Sequence, residues 1–335
     1  MGAGDWSASV YDATTRARVR SGTTFGYSAT LSSAPRSSWK AHESLDPKGV
    51  GMRESRDTAE HPTSRAITVL FDVTGSMLTI PVDLQKKLPE LLGLLLRKGY
   101  IEHPHIMFGA IGDATCDAVP LQIGQWESDN RMDEDLDRIV LEGGGGGQVT
   151  ESYELALYFM ARHTVIDCFE KRGDKGLLFI IGDEKAYPSV DRAQVSKVIG
   201  DTLQANIPTT EIVSEVSERF HTYFLLPKGA SHGGSAAVLN SWKALLGQNV
   251  IELDSPSNVC EAIAVLVGLH EGIDLDSATR DLSDSGVAAS SVHSVSTSLA
   301  RVAADLASTG RGAVVQAESG SLSDLATTSG TGRRL

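Results

Sequence analysis

Apolar and polar positions along this chain fall into three regimes. Between about residues 64 and 271, short apolar runs alternate with segments whose apolar positions recur every three or four residues. Residues 65–71, 105–111 and 176–181 are almost wholly apolar, and each predicts a strand buried on both faces. Residues 220–226 and 249–253 predict two more. Residues 118–125 alternate apolar and polar side chains, as an edge strand does. They follow their neighbour too closely for a crossover helix, so they should pair antiparallel. Leu84, Leu88, Leu91, Leu92, Leu95 and Leu96 recur at helical spacing behind Pro81, which suits a first turn, and Pro89 should kink that helix. Further helices are expected over 133–141, 151–168, 191–203, 236–246 and 257–270, the last with Ser257 as N-cap. Strands alternating with helices indicate an α/β fold. Its form should be a doubly wound (Rossmann-like), mainly parallel sheet with one antiparallel edge strand and helices on both faces.

The flanks differ from this central domain of residues 63–272. Residues 1–62 are rich in Ser, Thr, Ala, Gly and Arg, and hold neither period. They read as an extended, largely irregular arm, without which a piece from about 62 to 275 should still fold. Trp6, Tyr11, Phe25, Tyr27 and Trp39 either pin the arm to the domain or a neighbouring subunit, or are incidental. Residues 273–335 form a low-complexity tail. Within it, Val292, Val295, Leu299, Val302 and Leu306 are spaced 3, 4, 3, 4, which predicts a short amphipathic helix over about 287–308. That helix either docks on its own domain or joins a partner, including a second copy of the chain. Beyond Gly310 the sequence reads as disordered.

Charge and cysteine usage narrow the function classes. The net charge of −13 argues against nucleic acid as the main partner. Only Arg16, Arg18 and Arg20 cluster, and they read as a solvated patch. Cys116, Cys168 and Cys260 show neither a disulfide framework nor zinc spacing, and suit reduced thiols in the cytoplasm. The first residues lack the apolar stretch of a signal peptide, and the longest apolar runs are too short to span a bilayer.

Candidate chemistry centres on Asp72-Val73-Thr74-Gly75-Ser76, which joins the first buried strand to the leucine-rich helix. A carboxylate and two hydroxyls at alternate positions form a hard oxygen site, suited to Mg²⁺, Mn²⁺ or Ca²⁺. Three acids, Asp72, Asp113 and Asp183, follow strands that a doubly wound order sets side by side. Such a concentration of negative charge is expensive unless a cation neutralises it. An Asx or Ser turn capping a helix would also explain Asp72-Val73-Thr74-Gly75-Ser76 taken alone. Asp113 fits either a turn or an accessory ligand. Glu151 and Glu184 flank the site residues and either tune the charge of a bound metal or, by default, are solvated acids at helix starts. The histidines lack metalloprotease spacing, and Gly143–Gly147 lacks the Lys-Ser/Thr of a phosphate loop.

The D-x-T-G-S pattern resembles the metal-ion-dependent adhesion site (MIDAS) of von Willebrand factor A domains, of the prokaryotic intracellular type. The resemblance covers about residues 64–271. It assigns a threonine after a glycine-rich loop to Thr150, and an acid ending the fourth strand to Asp183. The Gly182-Asp183-Glu184-Lys185 sequence departs from the family's commoner Thr-Asp-Gly, and the glycine run is unusually long. The resemblance implies that Ser76, Thr150 and Thr74 touch a divalent cation, Mg²⁺ foremost. Asp72 and Asp183 would act directly or through water. The open position would take a partner's Asp or Glu carboxylate. AAA+ ATPases or multi-protein assemblies are partners by family analogy. The expectation is therefore a metal-dependent protein-binding module and not an enzyme. Two alternatives stay open: a metal-dependent hydrolase using Asp72, Asp113 and Asp183, and a self-assembling protein in which the metal only stabilises the fold.

Overall fold

The computed structural model describes residues 4–22, 25–75, 77, 79–143 and 149–308. In chain order, helices α1 (Ala8–Ser21) and α2 (Gly26–Leu31) precede strands β1 (Arg53–Ser55) and β2 (Arg65–Asp72). Then come α3 (Thr79–Leu92), β3 (Pro104–Ile111), β4 (Leu121–Ile123), α4 (Arg131–Arg138), β5 (Thr150–Glu151) and α5 (Tyr153–Arg162). The middle of the chain continues with β6 (Thr164–Ile166), α6 (Asp167–Arg172), β7 (Gly176–Ile181), β8 (Lys185–Ala186), β9 (Ser189–Val190) and α7 (Arg192–Val198). It goes on through β10 (Ile207–Pro208), α8 (Thr209–Arg219), β11 (Phe220–Pro227), α9 (Ala236–Leu246) and β12 (Val250–Leu253). Helices α10 (Val259–His270), α11 (Leu275–Asp284) and α12 (Ala289–Ser308) follow.

The fold is mixed α/β around a mostly parallel sheet. Six strands run in the order β12-β11-β7-β2-β3-β4. All neighbours are parallel except β4, which pairs antiparallel with β3. Alternation along the strands feeds two cores. Ile67, Val69 and Phe71 of β2 meet α3, α10 and α12 on one side. Ala66 and Leu70 meet α5, α8 and α9 on the other. Burial on both faces is why these strands read as continuous apolar runs.

The N-terminal segment differs from the extended, irregular arm expected of residues 1–62. Helix α1 is capped by Ser7, whose Oγ accepts from the Val10 N–H, and it ends at Gly22 in the left-handed region (φ 70°). Tyr11, Phe25 and Leu45 are buried. Arg18 is not part of a solvated patch, because its Nη1 lies 2.9 Å from Asp133 and its Nε 3.2 Å from Asp137. Strand β1 pairs in parallel with β6. The Leu45 carbonyl accepts from Ile123 N–H (2.8 Å) and Arg53 Nη2 donates to Ile123 O (3.0 Å), so the segment covers the β4 edge. These ties are mostly polar and individual, which explains why no hydrophobic period announced them.

One tie repairs a helix. Pro89 has no N–H for the carbonyl of Gln85 four residues earlier. The Tyr11 hydroxyl donates to that oxygen instead, at 2.6 Å. Helix α3 continues to Leu92 and passes into a π-helical turn, Gly93–Arg97.

Other boundaries also moved. The helix expected over 151–168 stops at Arg162, because β-branched Thr164–Ile166 joins β1 as a strand. Ser257 is not the cap of α10. It lies in the 3-10 turn Pro256–Asn258, and Ser255 accepts its N–H. The stripe in α12 buries Val295, Leu299 and Val302 against the chain's own α10, α11 and β12. Full burial of three such side chains contributes about 1.5–3 kcal/mol each. The sequence beyond Gly310 lies outside the described residues.

Candidate metal centre at the strand ends

Asp72 ends β2 and is wholly buried. Its Oδ1 accepts from both the N–H (2.7 Å) and the hydroxyl (2.6 Å) of Thr74. Its Oδ2 accepts from the Tyr153 hydroxyl at 3.0 Å. The short Asx-type turn therefore exists, and a tyrosine from α5 completes the carboxylate's partners. Ser76, the last residue of the motif, lies outside the described residues.

The flanking strands bring the other two acids. Strand β7 pairs with β2, and Asp183 sits two residues beyond its end, buried, with Oδ2 accepting from His232 N–H (2.8 Å). Strand β3 pairs with β2 on the other side, and Asp113 sits two residues beyond its end. Asp113 accepts from the N–H and hydroxyl of Thr115 (2.8 and 2.7 Å) and from the Tyr187 hydroxyl (3.2 and 3.1 Å). Thr150 is half-buried in β5, which pairs in parallel with β8 and so lies beside the segment following Asp183. Of the expected residues, Asp72, Thr74, Asp113, Thr150 and Asp183 thus gather at one end of the sheet.

Sequence reasoning missed four neighbours and misjudged two. Tyr153, Tyr187, Asp117 and His232 enter as partners of the strand-end acids. Glu151 and Glu184 are not solvated acids: both are buried, and the Oε2 of each has no hydrogen-bond partner among the described residues. The β5–β8 pairing draws them inward, and no local sequence signal reports a pairing across that loop.

The electrostatics follow from this crowding. Burial pushes the Asp72 carboxyl up to about 6, against the lowering effect of Thr74, and the Asp183 charge adds to the rise. Burial pushes Glu184 up to about 7, with Asp72 and Asp183 contributing. Glu151 rises to about 10 through burial, then repulsion from Asp72 and Glu184. Tyr153 is held well above its ordinary value by burial and by Asp72.

No protein-family model matches the chain. No curated protein matches it either. Among solved structures, it is similar to the pilus adhesin SpaC from Lactobacillus rhamnosus GG in its open conformation. That likeness has a TM-score of 0.40 and 9% identity, over 65% of this chain and 31% of that one. It is also similar to proximal thread matrix protein 1 from the mussel byssus, with a TM-score of 0.40 and 11% identity over 61% of this chain and 47% of that one. The chain spans less than half the length of either structure, and likenesses this weak carry no argument.

The donor chemistry itself fits a hard divalent cation. Burial and mutual repulsion hold Glu151 and Glu184 toward their neutral forms, and the Oε2 of each has no hydrogen-bond partner among the described residues. Among the described residues, no three His, Cys, Asp or Glu side chains are grouped so as to hold a metal ion by themselves. A set built on this motif draws on hydroxyls as much as on acids.

A pH dependence follows. The folded-state pKa of Asp72, about 6, exceeds its ordinary 3.8, so the folded chain binds the proton more tightly than the unfolded chain. Metal-free stability should therefore fall as pH rises from about 4 to about 6, then level off for this group. The expected loss is about 3 kcal/mol relative to Asp72→Asn, which does not titrate. Urea unfolding in EDTA across that range measures it. A wild-type-minus-variant difference that stays flat, or that rises with pH, would remove the assigned burden from Asp72.

Proposed function

We propose that this chain is a metal-dependent protein-binding module whose doubly wound, Rossmann-like sheet carries a site resembling the MIDAS of von Willebrand factor A domains. The observation that carries the reading is the burial of Asp72 beside Asp183 at the ends of adjacent central strands, with orphaned Glu151 and Glu184 oxygens around them. Support also comes from the strand order. The chain runs from β2 to β3 and β4 on one side, then crosses to β7, β11 and β12 on the other. In open sheets, a ligand crevice lies at such a reversal, beyond the C-terminal strand ends.

In this reading Thr74, Ser76 and Thr150 offer hydroxyl oxygens, Asp72 and Asp183 offer carboxylates, and Asp113 is accessory. The cation, when bound, supplies the local positive charge that lets a chain of net charge −13 attract a partner's Asp or Glu. The surrounding residues hold the donors still. Thr74 and Tyr153 fix both oxygens of Asp72, and the His232 N–H fixes Asp183.

Calorimetric titration with Mg²⁺ and Mn²⁺ tests this. The wild type should bind one ion, and Asp72→Ala should bind at least about tenfold more weakly. Equal affinity in the two proteins would sink the assignment. Capture of an acidic partner from the native host should then be abolished by EDTA. A partner retained in EDTA would move the interface away from the strand ends.

A further inference from the structure

Arg36 comes from the N-terminal segment, remote in sequence from the central strands, yet it reaches the margin of the strand-end acids. It opens the 3-10 turn Arg36–Ser38. Its guanidinium lies 5.9 Å from the ring centroid of Trp39, whose Nε1 donates to Ala34 O at 3.1 Å. The side chain is thus set in place by its own turn and by a cation–π contact.

A single nitrogen, Nη2, donates to Asp117 Oδ1 (2.7 Å) and to Glu142 Oε2 (2.5 Å). Both carboxylates are buried. Their second oxygens are also committed: Asp117 Oδ2 accepts from Asp113 N–H (2.7 Å) and Glu142 Oε1 accepts from Val119 N–H (2.6 Å). Asp117 belongs to the loop after β3 that carries Asp113. Glu142 immediately precedes the glycine run that leads to Thr150. One side chain therefore spans the roots of two loops that bring candidate donors to the site. Burial raises the pKa of Asp117, the nearby Glu142 charge adds to the rise, and Arg36 opposes it. Without the guanidinium they would repel one another and the loops would part.

We propose that Arg36 is a positioning residue for the strand-end site: it ties the Asp113–Asp117 loop to the root of the glycine run and so sets the affinity of the site for a divalent cation. This rests on the cation-binding reading above. A lysine keeps the charge but presents a flexible ammonium in place of a planar guanidinium set against Trp39, so it holds two carboxylates less well.

The test uses the full chain with Arg36→Met and Arg36→Lys, Mn²⁺ titration, and amide hydrogen exchange in EDTA. Arg36→Met should weaken Mn²⁺ binding about tenfold, and Arg36→Lys should fall between it and the wild type. The Asp113 and Val119 amides should exchange about tenfold faster in Arg36→Met, with the central amides of Val69 and Ile180 unchanged. Wild-type affinity together with wild-type protection at Asp113 and Val119 overturns the proposal. If the wild type binds no ion, the cation reading fails by itself. Exchange then decides alone: faster exchange at those two amides upholds the tie, and unchanged exchange overturns it. Should Arg36→Met fail to fold, the same comparison is made with Arg36→Lys.

Discussion

A chain beginning at residue 62 should fail to unfold as one cooperative unit, although the apolar pattern of the sequence predicts that it folds alone. The truncation removes the buried side chains of Tyr11, Phe25 and Leu45, worth about 1.5–3 kcal/mol each. It removes β1 from β6, and Arg18 and Arg36 from the buried carboxylates of Asp133, Asp117 and Glu142. Leaving one buried acid without its partner costs about 3–5 kcal/mol. It also exposes the Gln85 carbonyl in a helix that Pro89 cannot complete. The sum is comparable to the roughly 5–15 kcal/mol by which a domain is stable. Near-UV circular dichroism and urea unfolding of the truncated chain measure this. A sharp transition with an undiminished midpoint would show that the segment is an accessory.

Gly182→Ala should be strongly destabilising and should disturb the site. A Cβ there would stand 2.0 Å from the Tyr153 hydroxyl and 2.7 Å from its Cζ. Tyr153 has no room to yield, since it meets Phe224 and Trp242 edge-on at 5.7 and 5.3 Å between ring centroids. Overpacking costs about 1–3 kcal/mol, and breaking the bond to buried Asp72 adds a similar amount. Tyr153→Phe removes the 2.0 Å collision and leaves the one at Cζ, so the double variant should recover part of the loss. The two changes should be coupled by about 0.5–3 kcal/mol in thermal or urea unfolding. Strict additivity would mean that Tyr153 rotates away freely and does not orient Asp72. The residue before Asp183 must lack a side chain so that a tyrosine can pass over it.

Legibility in the sequence followed the kind of force involved. Strands β2, β3 and β7 were readable because burial on both faces leaves unbroken apolar runs. Helix α9 was readable over its whole length, and the stripe in α12 because a docked helix keeps one apolar face. Helix α8 escaped notice, since Thr209, Thr210, Ile212, Val213 and Val216 are β-branched and argue locally against a helix that tertiary packing enforces. Helix α1 escaped because Arg18 and Tyr11 hold it through single polar contacts. At the site, Asp72, Asp113 and Asp183 were legible as strand-end acids. The burial of Glu151 and Glu184 was not, because it depends on a pairing between distant short segments.

The seam between Leu45 and Ile123 also bears on how copies of this chain meet. A sheet margin with open backbone groups is a template for strands from other molecules. Here the outward N–H and carbonyl of Ile123 are already taken by Leu45 and Arg53 of the same chain. Strand exchange, swapping or fibril growth from this margin must first peel the leading segment away. A protease that nicks the chain ahead of β2 would turn a sealed border into an adhesive one.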